Sequence, residues 1–193
     1  MIASPCGCLL RPDEPLAVQF ASTRYFNGHG LVDLFDEPAT LTHWFKEHIA
    51  DPAGLVAPVA SVGGRDFGRV REARTAVIAL LRAATEDLTP PEGALALVNQ
   101  ALRQLREPQL AWPSDGPSSV GWRTPRSVVD IGLGRVYLST VETVTEPRRS
   151  RLRACPAPRC VLFFTMSHPR QQWCSNVCGN RARVARFGER HTG

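Results

Sequence analysis

Nowhere does the sequence approach the roughly 18 consecutive apolar residues that a membrane-spanning helix requires. The opening Met-Ile-Ala-Ser-Pro-Cys has neither the basic start nor the apolar run of a secretion leader. A helical membrane protein is thereby excluded, and we expect a cytoplasmic protein with no membrane partner. Internal repeats and long low-complexity tracts are missing as well, which removes solenoid and linker-like architectures. Catalytic signatures are equally scarce. There are no paired carboxylates, no nucleophile and base at a recognisable spacing, and no glycine loop of the kind that cradles phosphate. His29, His43, His48, His168 and His191 form no ligand spacing with one another. The expectation is a protein that is not an enzyme.

Acidic residues all but vanish from the end of the chain. Residues 1–146 hold 12 Arg, 1 Lys and 17 Asp or Glu, a balance of 13 − 17 = −4, whereas residues 147–193 hold 10 Arg and only Glu189, a balance of 10 − 1 = +9. An acidic body thus carries a basic end, and a basic field of that density attracts polyanions in a salt-dependent way. Nucleic acid is the first candidate, with a solvated basic end as the plain alternative. The whole has 193 residues, 43% apolar and 21% charged, close to soluble globular averages and enough for one ordinary domain with a small appended module.

Local patterns place the elements. Leu16, Val18 and Phe20 stand two apart, which suits a short strand, although a helical turn also accommodates them. From Pro38, the residues Leu41, Trp44, Phe45, His48 and Ile49 form the stripe of an amphipathic helix, closed by Pro52 and Gly54. A second helix is predicted over 64–86 from Phe67, Val70, Arg74, Val77, Ile78 and Leu81. A third starts after Thr89-Pro90-Pro91 and buries Leu95, Val98, Leu102 and Leu105. Residues 107–125 read as two short strands around a Pro/Gly/Ser turn. Residues 127–145 are ambiguous, since their valines favour a strand while their spacing also permits a helix. Arg24, Tyr25, His29, Trp44, Trp112 and Trp122 are candidates to line a pocket in the body, although aromatics at such spacings more often form core. Cys6 and Cys8 read as two ordinary thiols near the start.

The late cysteines carry the chemistry. They stand as Cys155-x4-Cys160-x13-Cys174-x3-Cys178, two close pairs separated by a loop that can fold back. Zinc takes four soft ligands at tetrahedral corners, and two such knuckles supply them, leaving no open position for water. The expected metal is therefore one zinc ion in a structural role. Two disulfides, a redox pair or an iron–sulfur cluster are the alternatives. Arg153, Arg159 and Arg181 are expected beside the thiols, easing their deprotonation. So short a basic segment cannot bury a sufficient core, so metal binding would supply its folding free energy. Ser175 is placed to cap a helix running through Cys178 to about Phe187. Asn180, Arg181, Arg183, Arg186 and Arg190 are its candidate nucleic-acid-binding residues, because arginine binds phosphate and guanine edges and asparagine pairs with adenine. A solvated arginine face with Asn180 bracing the knuckle is the plain alternative.

Cys178-Gly179-Asn180-Arg181, with the four-cysteine frame, Leu152-Arg153, Phe164 and Trp173, resembles the CGNR zinc-finger family of bacterial proteins. Leu16-Ala17-x-x-Phe20-x-x-Thr23 and Leu41-x-x-Trp44-Phe45 resemble the ABATE domain that usually accompanies that finger. The resemblance implies a stress-induced transcriptional regulator with a DNA-binding finger on a mainly helical domain that senses a signal or dimerises. It also implies that the segment before the finger is a helix. In this chain Gln171-Gln172 replace the usual basic pair before Trp173, and Ser22 replaces the usual asparagine before Thr23.

The expected fold is mainly α: a flexible N-terminus over 1–14, a helical domain with a short β-hairpin over 15–146, and a zinc finger of short strands plus a helix over 147–193. The expected partner is DNA, with a homodimer or an acidic surface of the transcription machinery as further partners. The alternative function is a zinc-stabilised protein-interaction module. The sequence names no small-molecule ligand.

Overall fold

A computed structural model describes residues 2–3, 9–48, 64–104, 109–112, 114–116, 119–121 and 128–191. Cys6, Cys8, Ile49, Pro52, Gly54, Leu105 and Trp122 lie outside the described residues. The architecture is mainly helical, with short antiparallel strand pairs and a cysteine-bearing end built of two strands and a helix. Among the described residues no helix is long and apolar enough to cross a membrane.

The chain opens with β1 (Ile2–Ala3) paired antiparallel to β2 (Leu9–Leu10). The expected flexible start does not extend to Arg11 and Glu14. Their side chains are 8% and 11% exposed and pair at 2.6 Å. Arg11 also donates to the Phe163 carbonyl at 2.7 Å, and Glu14 accepts from the Thr165 N–H at 2.8 Å. Two charges tied to backbone groups some 150 residues away (151 for the Glu14 bond, 152 for the Arg11 bond) hold this segment against the end of the chain.

Next comes α1 (Leu16–Ala21), where alternation suggested a strand. Pro15 supplies the fixed φ that suits a helix start, and Ala17, Val18, Phe20 and Ala21 are all buried. A short helix enclosed on nearly every side shows no clean helical period, and the small alanines between the large residues mimic alternation. Its orphan first-turn N–H, that of Ala17, donates to the Ser139 hydroxyl at 3.1 Å.

An unforeseen hairpin follows: β3 (Arg24–Phe26) pairs with β4 (Leu31–Asp33). Asn27 closes its turn by accepting from the N–H groups of His29 and Gly30 at 2.9 Å each, and Gly28 takes φ 107°. After a 3-10 turn at Leu34–Asp36 come α2 (Pro38–His48), α3 (Gly64–Glu86) and α4 (Glu92–Gln104). On α4 the buried face is rotated from the predicted one. Val98 is buried and Ala94, Leu97, Ala101 and Leu102 pack inward, while Leu95 is exposed.

Strands β5 (Gln109–Ala111) and β6 (Ser119–Gly121) form the expected hairpin. The ambiguous segment is helix α5 (Val128–Val144), as the family resemblance implied. It packs against α1, α3 and α4 and buries Val129, Leu133, Val136 and Tyr137. Burial pushes the Tyr137 phenol up to about 12.

Phe20, Phe35, Trp44 and Phe45 form a tilted and edge-on aromatic cluster with centroids 5.2–5.9 Å apart, so Trp44 is core rather than pocket lining. Trp112, by contrast, is 77% exposed. His48 stacks flat on Trp44 at 4.5 Å, and burial lowers its pKa. Beside the cluster lies an ion pair. Arg74 on α3 grips Asp33 with both terminal nitrogens at 2.6 and 2.5 Å, donates to the Thr23 hydroxyl at 3.1 Å and lies 4.8 Å over the Phe35 ring.

The basic end is built from β7 (Leu152–Ala154), β8 (Phe163–Thr165) and α6 (Asn176–His191). Successive strand residues point to opposite faces. Leu152 and Phe163 enter the main core of the body, and Phe164 enters a second cluster with the cysteines. The hairpin is thus shared between the two hydrophobic units.

Candidate metal centre

Two turns aim the four sulfurs. In the first, the Cys155 N–H donates to Leu162 O and the Cys160 N–H to Ala157 O, each at 2.9 Å. Arg159 takes φ 61° to bring the chain back, a left-handed conformation costly for a residue with a Cβ. In the second, the Ser175 hydroxyl accepts from the Cys178 N–H at 3.3 Å, the predicted N-cap of α6. The Cys174 N–H points at the Cys155 sulfur at 3.5 Å. Cys155 and Cys178 are buried, and Cys160 and Cys174 are half-buried.

All four Sγ atoms lie within 4.8 Å of one another. The individual separations are 3.4 Å for Cys174–Cys178, 3.8 Å for Cys160–Cys178 and 3.9 Å for Cys160–Cys174. A tetrahedron with metal–sulfur bonds of about 2.3 Å has edges of about 3.8 Å. The cluster is therefore the right size for one zinc ion. Sulfurs 3.4 Å or more apart are not disulfide-bonded, since that bond is about 2.05 Å long, and all four cysteines are free thiols. A multi-iron cluster would need the sulfurs spread wider.

Electrostatics points the same way. Hydrogen bonds from Cys160 and Cys174 pull the Cys155 thiol down, while the Cys155 sulfur and burial push Cys160 up, and the Cys155 and Cys160 sulfurs with burial push Cys174 up. Without a cation, Cys160 and Cys174 therefore keep their protons. A divalent ion that takes them as thiolates displaces those protons. With four protein sulfurs on it, such an ion cross-links two turns and has no vacant position for a reacting molecule.

The predicted nucleic-acid residues separate into two groups. Asn180, Arg183, Arg186 and Arg190 are exposed on α6. Arg183 donates to the Asn180 side-chain oxygen, and Arg186 lies 5.9 Å over the Trp173 ring. Arg181 turns inward: it donates to the Cys178 sulfur at 3.2 Å and lies 5.0 Å over the ring of Phe26, from β3. The sequence held the signal for this, because residues three apart on a helix share a face and Cys178 faces the other three sulfurs. Nothing in the sequence pointed to Phe26. Arg159 lies 5.8 Å over that same ring, whereas Arg153 donates to the carbonyls of Ser150 and Leu152.

Gly179 has a physical requirement of its own. A Cβ there would sit 2.9 Å from Cδ1 of the Trp173 indole, inside contact distance. Gly179→Ala must displace Trp173 from the sulfur cluster, and we expect it to cost about 1–3 kcal/mol. Thermal unfolding of the zinc-loaded chain checks this; an unchanged midpoint would mean that the indole moves freely.

Comparison with curated proteins returns no match. Family models match two segments: residues 14–147 fit ABATE, described as "Putative stress-induced transcription regulator", and residues 151–191 fit the CGNR zinc finger. With most of its length matched by the first model and its sulfur site inside the second, the chain belongs to the ABATE family and carries a CGNR zinc finger that fits one zinc ion.

Proposed function

We propose that the protein is a zinc-dependent DNA-binding regulator in which the outer face of α6 meets the duplex. The observation that carries this reading is the exposure of Asn180, Arg183, Arg186 and Arg190 along one helix, with Arg186 lying over Trp173. A helix of 16 residues is about 24 Å long and fits the major groove. Bound zinc fixes the orientation of the helix through Cys178, and the arginines supply phosphate and base-edge contacts. Gln171 and Gln172 leave the loop before Trp173 with less charge than the helix, so the helix carries most of the contact. The acidic body senses a signal or pairs with a second copy, which would lengthen the site that one finger can read.

Arg183→Ala combined with Arg190→Ala is expected to flatten the dependence of affinity on salt by about one logarithmic unit of slope per lost phosphate contact, with zinc content unchanged. Gel shifts on random duplex over a salt series measure it. An unaltered slope would remove these arginines from the interface.

A second reading draws on Val177, Val184 and Phe187, which are 54%, 71% and 60% exposed on the same helix. Apolar surface of this kind suits an acidic protein partner of the transcription machinery better than it suits phosphate. Capture of such a partner that survives nuclease treatment would favour this reading over the first.

A further inference from the structure

Arg181 does something that neither zinc ligation nor DNA contact requires. Its guanidinium donates to the Cys178 sulfur at 3.2 Å, and its Nε–H is buried with no acceptor among the described residues. A buried donor left unsatisfied costs roughly 1–3 kcal/mol. The guanidinium carbon lies 5.0 Å from the ring centroid of Phe26, a residue of the body 155 positions earlier in the chain (181 − 26 = 155). Arg159 reaches the same ring from the turn between Cys155 and Cys160. A single ring thus receives one cation from each half of the metal site.

We infer that Arg181 is a positioning and charge-balancing partner of the metal centre, and that Phe26 holds it against the Cys178 sulfur, so that the body of the protein sets how tightly the finger keeps its metal. Four thiolates around a divalent cation leave a net charge of −2. In a half-buried site that charge is costly, and an arginine donating to one sulfur offsets part of it. Arginine suits the task better than lysine because its plane stacks on a ring while its edge donates. Groups that hydrogen-bond metal ligands typically contribute about 10–100-fold to metal affinity. Phe26 ends β3, and the partner strand β4 ends at Asp33, which Arg74 clamps to α3. A change in the body that moves this hairpin would therefore reach the metal site through one ring. The inference does not depend on DNA binding.

The test uses the full chain without nucleic acid, titrating zinc against a chromophoric chelator and recording the absorption of the cobalt-substituted protein. Arg181→Met keeps the length and loses the charge. It is expected to weaken zinc binding about 10–100-fold and to shift the sulfur-to-cobalt charge-transfer band. Arg181→Lys is expected to recover part of the affinity. Phe26→Leu, which keeps apolar bulk and removes the ring face, is expected to weaken zinc binding about tenfold, within the lower part of that range. Arg183→Met, on the outer face, should leave both readouts at wild-type values.

Wild-type affinity and an unshifted band in Arg181→Met would overturn the charge-balancing role. Wild-type affinity in Phe26→Leu would overturn the hold exerted by the body. If Arg181→Met takes no metal at all, the temperature at which its body unfolds is compared with that of the wild type stripped of zinc. Equal temperatures support the inference, and a body that unfolds well below the stripped wild type overturns it in favour of a packing role.

Discussion

Cys160→Ser is expected to lower bound zinc from one ion per chain to a small fraction and to unravel α6. Zinc in small four-ligand modules contributes apparent free energies of about 10–16 kcal/mol near neutral pH, and that energy is folding energy. Little else holds the sulfur-bearing half of the finger. Its buried cluster contains Cys155, Cys178, Ala157 and Phe164, with Cys160, Cys174, Met166 and Trp173 partly buried against it. Serine is nearly isosteric with cysteine, so a loss of order follows from lost metal ligation rather than lost volume. The effect should not stop at the finger. Leu152 and Phe163 sit in the core of the body, 2% exposed each, so the loosened hairpin leaves part of that core uncovered and the body should also melt earlier. Metal analysis together with far-ultraviolet dichroism checks the prediction. A zinc-free variant retaining the full helical signal would show that the finger folds without its ion.

The second large effect lies at Arg74. Its side chain is 5% exposed and that of Asp33 is 17% exposed, so removing either partner leaves a charge stranded in a largely dry site, at a cost of about 3–5 kcal/mol. We expect Arg74→Met to lower the unfolding midpoint by roughly 10 °C, taking about 2–4 °C per kcal/mol for a chain of this size. Arg74→Met joined to Asp33→Leu should cost less than Arg74→Met alone, because no orphaned charge remains.

The pH dependence gives a separate check. Burial alone would raise the Asp33 pKa. The Arg74 hydrogen bonds and charge, the Phe35 N–H and the Arg71 charge outweigh it and hold the carboxyl below its ordinary value of 3.8. A folded-state value below the unfolded one contributes stability that is fully present above pH 3.8 and is lost as pH falls through the folded value. Without Arg74 the burial effect dominates and the sign reverses, so Arg74→Met should lose less stability on acidification than the wild type. Denaturant midpoints at pH 3 to 6, to about half a unit, measure this, and parallel curves for the two proteins would refute the account.

Some of this architecture was legible in the residues alone, because it is local. Leu41, Trp44 and Phe45 mark α2 by their period, and the bounds expected for α3 coincide with those observed. The spacing of Cys155, Cys160, Cys174 and Cys178 implies a single tetrahedral ion because short knuckles and soft ligands leave few other solutions. Ser175 announces the start of α6 by ordinary capping chemistry.

Tertiary structure decided the rest. The strand-like spacing of Leu16, Val18 and Phe20 gives way to helix because surrounding elements bury Ala17, Val18, Phe20 and Ala21 and leave Leu16 and Gln19 only half-exposed, which erases the period. Val128–Val144 is β-branched enough for a strand and becomes a helix where α1, α3 and α4 offer it a groove. Arg74 and Asp33 are 41 residues apart, and Arg11 reaches a carbonyl 152 residues away, so neither pairing leaves a mark on sequence periodicity. The arginines of α6 are chemically alike. Only the phase of the helix about the sulfur site sends Arg183, Arg186 and Arg190 outward and turns Arg181 inward onto Phe26. Composition thus fixed the ligands and the charge of the finger, while packing between distant segments fixed which charges face the solvent and which face the metal.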